Sequence, residues 1–426
     1  METLRIGSTG PLVELLQSKL KELGFLTGNI DGIFGNQTYN AVAAFQRSRG
    51  LIGDGIAGSS TWLNLMPLIN GYDVHTVQAG DTVFRLANAY GSSIDGIIAA
   101  NPGIDVYNLQ IGQKLVVPLG TVVPGDISYS YDILTMNIGA LKAIYPFIGT
   151  GSIGSSALCR QIPYMRLGTG PKEVFYNASF HANEWITTPV VMRFAENLLR
   201  AYVHNTNIAG YSARNILRDV SIYLVPMVNP DGVDLVTGAI RPDSEAYRQA
   251  EAISEDYPSI PFPQGWKANI RGTDLNLQFP ANWEQAREIK FAQGFVSPAP
   301  RDYVGSAPLT APESVSVYQF TLAHNFRLTL SYHTQGRVIY WQYLDYNPAN
   351  AASIGARLSA ASGYALEQTP YASSFAGYKD WFIQTYNRPG YTIEAGYGVN
   401  PLPISQFDEI YRDNEGILVL GAVLAP

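Results

Sequence analysis

The sequence predicts a multidomain protein with three parts: a small three-helix domain, a small βααβ domain, and a large α/β domain with a mixed, mostly parallel sheet flanked by helices. At 426 residues the chain is too long for one average domain. Residues 1–67 and 74–118 each show a complete pattern of helices or strands that is distinct from the rest of the chain. Over residues 128–426, apolar strand-like runs alternate with helical patterns, which is typical of a parallel sheet covered on both faces.

Composition restricts the class of protein and its partners. Hydrophobic residues make up 46% of the chain and charged residues 15%, as in globular proteins. A net charge of −7 without a Lys/Arg cluster argues against nucleic acid as a partner, and no apolar run is long enough to cross a membrane. The single cysteine allows neither an internal disulfide nor a cysteine-rich zinc site.

Residues 1–67 are predicted to form three helices. Apolar residues at helical spacing predict the first helix, and a second is expected over residues 37–49. Two near-copies, "DGIFG" at 31–35 and "DGIAG" at 54–58, each predict a turn before a helix. The segment resembles the small peptidoglycan-binding domain over nearly its whole length, and this resemblance implies peptidoglycan as a partner.

Residues 74–118 are predicted to form a strand, two short helices and a closing strand. The segment resembles a LysM module in "GDT" at 80–82, "ANP" at 100–102 and the L-x-x-G-x-x-L pattern at 109–115. Members of that family bind glycans that contain N-acetylglucosamine, so the resemblance implies a second contact with peptidoglycan. The Gly- and Pro-containing residues 120–128 predict a linker.

Two histidines follow apolar strands in the large domain. His181 and Glu184, in "FHANEW", come directly after the run "EVFYNAS", and by themselves they are more typical of a polar helix entrance than of a metal site. His333 ends a second strand, "LTLSYH", and favours a metal site, because catalytic sites in such sheets lie at the carboxyl ends of strands. A catalytic zinc takes three His or carboxylate ligands and keeps one position open.

Glu394 is an isolated carboxylate at the end of the apolar run "YTIE". A charge in such a run is costly unless it is paired, so the residue is a candidate general base beside a metal site. The alternative, an exposed glutamate at the edge of the sheet, remains open from the pattern alone.

Four segments, "HANEW", "NPDG" at 229–232, "SYHTQG" and "TIEAG", occur in the order found in the zinc metallocarboxypeptidases, and the resemblance covers essentially all of residues 128–426. It implies one zinc ion held by His181, Glu184 and His333. It also implies Glu394 as the general base and proton shuttle.

The same resemblance implies further site residues. Within "WKANIRGTDLNLQFP", either Arg271 or Lys267 corresponds to the cation that stabilises the oxyanion, and Arg271 is preferred. Asn276 lies in the substrate-binding segment, and Tyr371 corresponds to a mobile active-site tyrosine. The position of the arginine that grips a C-terminal carboxylate holds Leu277, which weakens the expectation of ordinary C-terminal trimming.

Two wall-binding modules joined to a zinc peptidase resemble the bacterial γ-D-glutamyl-L-diamino acid endopeptidases. The resemblance implies cleavage of stem peptides between γ-D-Glu and the diamino acid, with Arg337 as a candidate partner for a substrate carboxylate. The alternative is a zinc carboxypeptidase that trims C-terminal residues of cell-wall or other peptides. We expect the protein at the bacterial cell wall, secreted by a route other than a visible signal peptide or acting in a sporulating-cell compartment.

Overall fold

The computed structural model describes residues 1–426. The chain divides into two compact units, one of residues 1–128 with 132–148, the other of residues 129–131 with 149–426. Residues 132–148, which the sequence places in the large domain, thus associate with the N-terminal unit. The predicted domain borders near 67, 74 and 118 lie inside that unit and stay predictions.

The first unit begins with the three predicted helices, α1 Pro11–Glu22, α2 Asn36–Ser48 and α3 Ser59–Asn70. The apolar face expected for α1 is buried, including Val13, Leu16 and Leu20. The βααβ prediction is also confirmed, since β1 Tyr72–Thr76, α4 Val83–Tyr90, α5 Ile94–Ala100 and β2 Lys114–Pro118 follow, with β1 and β2 antiparallel. Helix α6 Tyr131–Ile144 comes next.

A buried glutamine of α1 organises the first "DGIFG" turn. Gln17 Nε2 donates to Asp31 Oδ1 at 2.7 Å and to Thr38 Oγ1 at 3.0 Å. Its Oε1 accepts from the backbone N–H of Gly32 at 2.9 Å. Gly32 has φ +68°, a conformation that favours glycine. One side chain therefore links α1, the turn and the start of α2.

The same arrangement recurs one helix later at the "DGIAG" turn. Gln46 of α2 donates to Asp54 Oδ1 at 2.8 Å and to Thr61 Oγ1 at 3.0 Å, and accepts from Gly55 N at 2.9 Å. The near-copies in the sequence are thus copies of one hydrogen-bonded unit.

The second unit contains an eight-stranded sheet and a separate two-stranded hairpin. Its strands are β3 Gly149–Ser155, β4 Gln161–Leu167, β5 Lys172–Ala178, β6 Asn207–Ile208, β7 Tyr211–Ser212, β8 Val220–Val225, β9 Phe326–His333, β10 Val338–Tyr340, β11 Ala365–Glu367 and β12 Gly390–Glu394. The order in the large sheet is β11-β10-β12-β9-β5-β8-β4-β3, and β6 and β7 form the hairpin. The central run β12-β9-β5-β8 is parallel, so the mixed, mostly parallel sheet is confirmed.

The helices of this unit connect and cover the strands. They are α7 Thr187–Val203, α8 Ala213–Asp219, α9 Pro230–Val236, α10 Glu245–Glu255, α11 Trp283–Ala292, α12 Pro312–Leu322, α13 Ala351–Ser362, α14 Tyr378–Tyr386 and α15 Phe407–Val423. Short 3-10 helices cover Ala182–Glu184, Leu275–Leu277, Tyr371–Ser373 and Ile404–Gln406. No helix anywhere in the structure has both the length and the apolar character that a membrane span requires.

Both faces of the sheet are buried, as two neighbouring residues of β5 show. Tyr176 donates a hydrogen bond to the Leu418 carbonyl of α15 at 2.8 Å. The ring of Phe175 meets the ring of Tyr378 in α14 on the other face, with centroids 5.7 Å apart. Burial on both faces explains why β8, with the sequence VSIYLV, is apolar at every position but one.

Replacing Gln46 by Ala should destabilise the three-helix region by about 1–3 kcal/mol, because buried polar groups lose their partner. We expect faster hydrogen exchange at the backbone amides of residues 54–61 in the full chain, measured by mass spectrometry. Gln37→Ala makes the same change at an exposed position of α2 and should leave this exchange unchanged. Equal exchange in the two variants would contradict the role of the network.

Candidate metal centre and catalytic cleft

Three potential metal ligands converge at the carboxyl edge of the sheet. His181 Nδ1 lies 3.0 Å from Glu184 Oε1, and His333 Nδ1 lies 2.9 Å from Glu184 Oε2. The two Nδ1 atoms are 3.1 Å apart, and all three residues are buried. They meet because β5 and β9 are parallel neighbours, so the residues that follow one strand lie beside the end of the other.

The donor set fits zinc. Two imidazole nitrogens and a carboxylate oxygen separated by about 3 Å resemble the ligands of a tetrahedral zinc, which lie roughly 3.3 Å apart for metal–ligand bonds of about 2 Å. Nε2 of His181 lies 3.2 Å from Asp274 Oδ1. A hydrogen on Nε2 would bond to this carboxylate and leave the Nδ1 lone pair directed at the centre, as in carboxylate–histidine–zinc arrangements.

Both buried carboxyl groups of this centre, Glu184 and Asp274, have a pKa below the usual value. Burial acts to raise the pKa of Glu184, but the charges of His181 and His333 outweigh it and hold the pKa well below its usual value. Asp274 behaves likewise, because His181 and Lys267 oppose the effect of burial and lower its pKa. The ionised form of Glu184 is therefore favoured, and in this form its carboxylate can bind a cation.

Glu394 lies next to the ligands. It ends β12 and is directly opposite His333 in the parallel pairing with β9, and it lines the same cleft. Burial of the carboxyl and the nearby charge of Glu184 raise the pKa of Glu394 to about 8 in the metal-free protein. A pKa near neutrality suits a group that must both accept and return a proton.

Of the two candidate cations, the structure places Lys267 in the cleft lining and Arg271 outside it. Lys267 lines the cleft with the metal ligands, and the charges of Asp274 and Glu184 outweigh its burial and raise its pKa. Arg271 is exposed, lies outside the cleft lining and directs Nη2 toward the Ala157 carbonyl at 3.5 Å. The preference for Arg271 therefore does not fit the geometry.

The short helix Leu275–Leu277 forms part of the cleft wall. Asn276 lines the cleft and accepts a hydrogen bond from the backbone N–H of Tyr378 at 2.9 Å. Leu277 also lines the cleft but is only 8% exposed and belongs to the apolar core. The wall thus carries an apolar side chain where the sequence comparison expects a carboxylate-binding arginine.

Tyr371 stands at the rim. Its ring is 67% exposed and meets the ring of Phe375 edge-on, while the adjacent Pro370 and the nearby Ser373 line the cleft. The structure therefore brings this segment to the site but does not place the phenol in the cleft lining.

Arg337 does not reach the site. Its guanidinium pairs with Glu409 at 3.3 Å and Asp413 at 3.1 Å, and it lies outside the cleft lining. The expectation that Arg337 receives a substrate carboxylate is therefore not supported by its position.

Several charged residues of the cleft carried no recognisable sequence signal. Lys290 and Arg301 line it and share Asp302, at 2.7 and 2.6 Å. Lys379 and Asp380 line it as well. These residues lie in helices and loops, not at the ends of apolar strands. The only sequence signal that could have identified them is a charged residue within an otherwise apolar segment.

Replacing His333 by Ala should lower the affinity for zinc by more than about 100-fold, because one of three ligands is lost. Zinc content after dialysis, measured by inductively coupled plasma mass spectrometry, checks this. His204→Ala removes an exposed histidine at the end of α7 and should retain one zinc per chain. Retention of zinc by the His333 variant would contradict the ligand assignment.

The metal-free protein should lose stability as pH rises from about 4.5 to 8. In this window the folded state keeps a proton on Glu394 that the unfolded state has released, so folding is progressively penalised. Glu394→Gln cannot ionise and should be more stable than the wild type at pH 8 by about 1–3 kcal/mol. Urea unfolding of chelator-treated protein measures the difference, and identical pH profiles would contradict the raised pKa.

Comparisons with known proteins agree with this geometry. The family model described as "Zinc carboxypeptidase" matches residues 135–415, while "Putative peptidoglycan binding domain" and "LysM domain" match residues 9–65 and 75–118. Carboxypeptidase A from Helicoverpa armigera has the same fold, with a TM-score of 0.54 and 17% identity over 99% of this chain and 97% of that one.

Two sequence relatives extend over most of the chain. "Gamma-D-glutamyl-L-diamino acid endopeptidase 1" of Lysinibacillus sphaericus is 45% identical over 71% of this chain and 74% of its own length. "Uncharacterized protein YqgT" of Bacillus subtilis is 39% identical over 65% of this chain and 72% of its own length. The matched family model covers more than half of the residues, and the chain belongs to the zinc carboxypeptidase family.

Proposed function

We propose that the protein is a zinc-dependent peptidoglycan hydrolase that cleaves the bond between γ-D-glutamate and the diamino acid of stem peptides. The observation that carries the proposal is a cleft with a complete ligand set and Glu394, but with Leu277 in place of a carboxylate-binding arginine. The 45% identical relative supports the same bond as substrate.

His181, Glu184 and His333 would hold the zinc. When bound, zinc supplies Lewis acidity that polarises the scissile carbonyl and makes water more acidic. Asp274 positions His181 through its Nε2.

Side chains of the cleft carry out the proton transfers and stabilise the developing charge. Glu394 takes the proton from the attacking water and returns it to the nitrogen of the leaving diamino acid. Lys267 stabilises the negative charge that develops on the carbonyl oxygen. Both residues line the same cleft as the ligands, so one bound peptide can contact all of them.

A γ-linked D-glutamate differs from an ordinary peptide residue because its α-carboxylate is free. Lys290 and Arg301 both line the cleft and share the carboxylate of Asp302. Arg301, with a side chain 45% exposed, is our proposed partner for the α-carboxylate in place of Arg337.

The two N-terminal modules would hold the enzyme on its polymeric substrate. Their matches to peptidoglycan-binding and LysM models associate the chain with the cell wall. Tethering raises the local concentration of stem peptides without altering the chemistry of cleavage. We place the enzyme at the wall, with the sporulating cell as one proposed setting.

Zinc-loaded protein should convert L-Ala-γ-D-Glu-meso-diaminopimelate into L-Ala-D-Glu and free diaminopimelate, detected by mass spectrometry. Glu394→Ala should lower the rate by about 100- to 10,000-fold, because general acid–base catalysis typically contributes this much. Circular dichroism of the variant controls for folding.

The rival activity, C-terminal trimming, is distinguished with the tetrapeptide that carries D-Ala after meso-diaminopimelate. Trimming would release free D-Ala, whereas cleavage of the γ-D-glutamyl bond would release the dipeptide of diaminopimelate and D-Ala. If the tripeptide stays intact while other peptides lose their C-terminal residue, and Leu277→Arg increases that trimming, the endopeptidase proposal is wrong.

A further inference from the structure

The motif "NPDG" at 229–232 lies beside the site, and the proposed mechanism assigns it no part. Asn229 directly precedes α9, is fully buried and is not among the residues that line the cleft. Its side-chain amide contacts two segments that do reach the cleft. Nδ2 donates to the Phe180 carbonyl at 3.2 Å and to the Ala268 carbonyl at 3.0 Å. Asn229 therefore joins the segment of the first metal ligand to the segment of the candidate cation.

The orientation of the Asn229 amide is determined by its other contacts. Oδ1 accepts from the backbone N–H of Gly232 at 3.1 Å, which caps the first turn of α9. The backbone N–H of Asn229 donates to the Ser179 carbonyl at 3.0 Å. Turning the amide by 180° would bring its oxygen against two carbonyl oxygens and its NH2 group against an N–H group. Both donor hydrogens of Nδ2 are therefore used in the bridge.

The glycine of the motif allows α9 to approach this bridge closely. A Cβ at Gly232 would lie 2.7 Å from the amide nitrogen and oxygen of Asn229 and 2.8 Å from the Cβ of Ala182. These distances are shorter than the contact distance of nonbonded heavy atoms, so a larger residue would push α9 away. Gly232 thus keeps Asn229 within hydrogen-bonding distance of the two carbonyls.

The bridge reinforces a direct backbone contact between the same two segments. Ala182 N donates to the Lys267 carbonyl at 3.0 Å. On the other side, the backbone N–H groups of Lys267 and Ala268 both donate to the Pro300 carbonyl, at 2.7 and 2.9 Å. The backbone of Lys267 is therefore held between the ligand segment and a second loop, and Asn229 holds the carbonyl that follows it.

The ammonium of Lys267 can lower the reaction barrier only if it lies where negative charge develops. Its side chain is long and flexible, so the backbone beneath it needs a fixed position relative to the metal ligands. A preorganised charge requires no rearrangement during the reaction, and a displacement of about 1 Å can lower a rate by about 100-fold. The bridge between the two segments therefore bears on the transition state more than on the binding of substrate.

We propose that Asn229 is a positioning residue that holds the backbone of Lys267 in a fixed place relative to the metal ligands. This inference rests on the proposed function, in which Lys267 stabilises the developing charge. Asn229 lies outside the cleft lining and acts through Lys267. Its loss should therefore lower kcat, while KM and the affinity for zinc stay close to the wild-type values.

The test replaces Asn229 by Ser in the full zinc-loaded chain, with L-Ala-γ-D-Glu-meso-diaminopimelate as substrate. Serine keeps an oxygen that can cap α9 but lacks both N–H donors. We expect kcat to fall by about 10- to 100-fold and KM to change by less than about threefold, with one zinc per chain retained. Asn197→Ser is the matched control. It removes an amide that donates to Tyr411 Oη at 2.8 Å between α7 and α15, and should keep the wild-type kcat.

A double-mutant cycle with Lys267→Met separates positioning from a general loss of structure. If Asn229 acts through Lys267, Asn229→Ser should lower kcat no further in the Lys267→Met background. Independent effects that multiply would overturn the inference, because a structural defect would slow both backgrounds alike. Loss of zinc from Asn229→Ser would also overturn it, since the amide would then act on the metal ligands.

Hydrogen exchange tests the bridge without catalysis. The backbone amides of Lys267 and Ala268 should exchange about fivefold faster or more in Asn229→Ser than in wild type or Asn197→Ser, because one hydrogen bond of their segment is lost. Equal exchange in the three proteins would contradict the proposed role. If the Ser variant fails to fold, Asn229→Asp takes its place, since it keeps the size and the capping oxygen and lacks both donors.

Failure of the proposed function is a separate outcome. If the wild type leaves the tripeptide intact but releases D-Ala from the tetrapeptide, the endopeptidase proposal is wrong, and the same cycle is measured on D-Ala release. A loss of kcat that disappears in the Lys267→Met background supports the role of Asn229 whichever bond is cut. Multiplying effects on D-Ala release would refute that role.

Discussion

The metal ligands and the general base meet because β5, β9 and β12 pair in parallel and end at one edge of the sheet. His181 follows the first of these strands, His333 ends the second, and Glu394 ends the third directly opposite His333. Side chains alternate along a strand, so a slip of one residue would turn His333 or Glu394 to the other face. The backbone hydrogen bonds between these strands therefore determine the relative positions of the metal ligands and the general base.

Electrostatics at this edge follow from the same pairing. The pKa values of Glu184 and Asp274 stay low despite burial because His181 lies close to both. Glu394 receives less compensation, and its carboxyl holds a proton more tightly than usual. Two kinds of carboxyl group thus stand in one cleft: one kind suited to binding a cation and one suited to moving a proton.

Residues at the ends of regular strands could be predicted from the sequence, because apolar runs mark where His333 and Glu394 leave the sheet. Residues in irregular segments could not. Lys267 and Arg271 are four positions apart in a loop without periodicity, so the sequence did not decide which of them reaches the cleft. Lys379 looks like an ordinary charge near a helix start, and only tertiary packing shows that it is buried at the cleft wall. The order of elements and the mixed sheet followed from alternating patterns, whereas the association of residues 132–148 with the N-terminal unit did not.

The paired glutamine networks of the N-terminal unit share one helix. Helix α2 provides Thr38 to the network of Gln17 at its beginning and contributes Gln46 to the next network near its end. The two copies lie one after the other, over residues 17–38 and 46–61, but both depend on this helix, so disruption of α2 would affect both networks. Each copy needs the helix before its turn and the helix after it, so two copies require three helices, and the middle helix serves both.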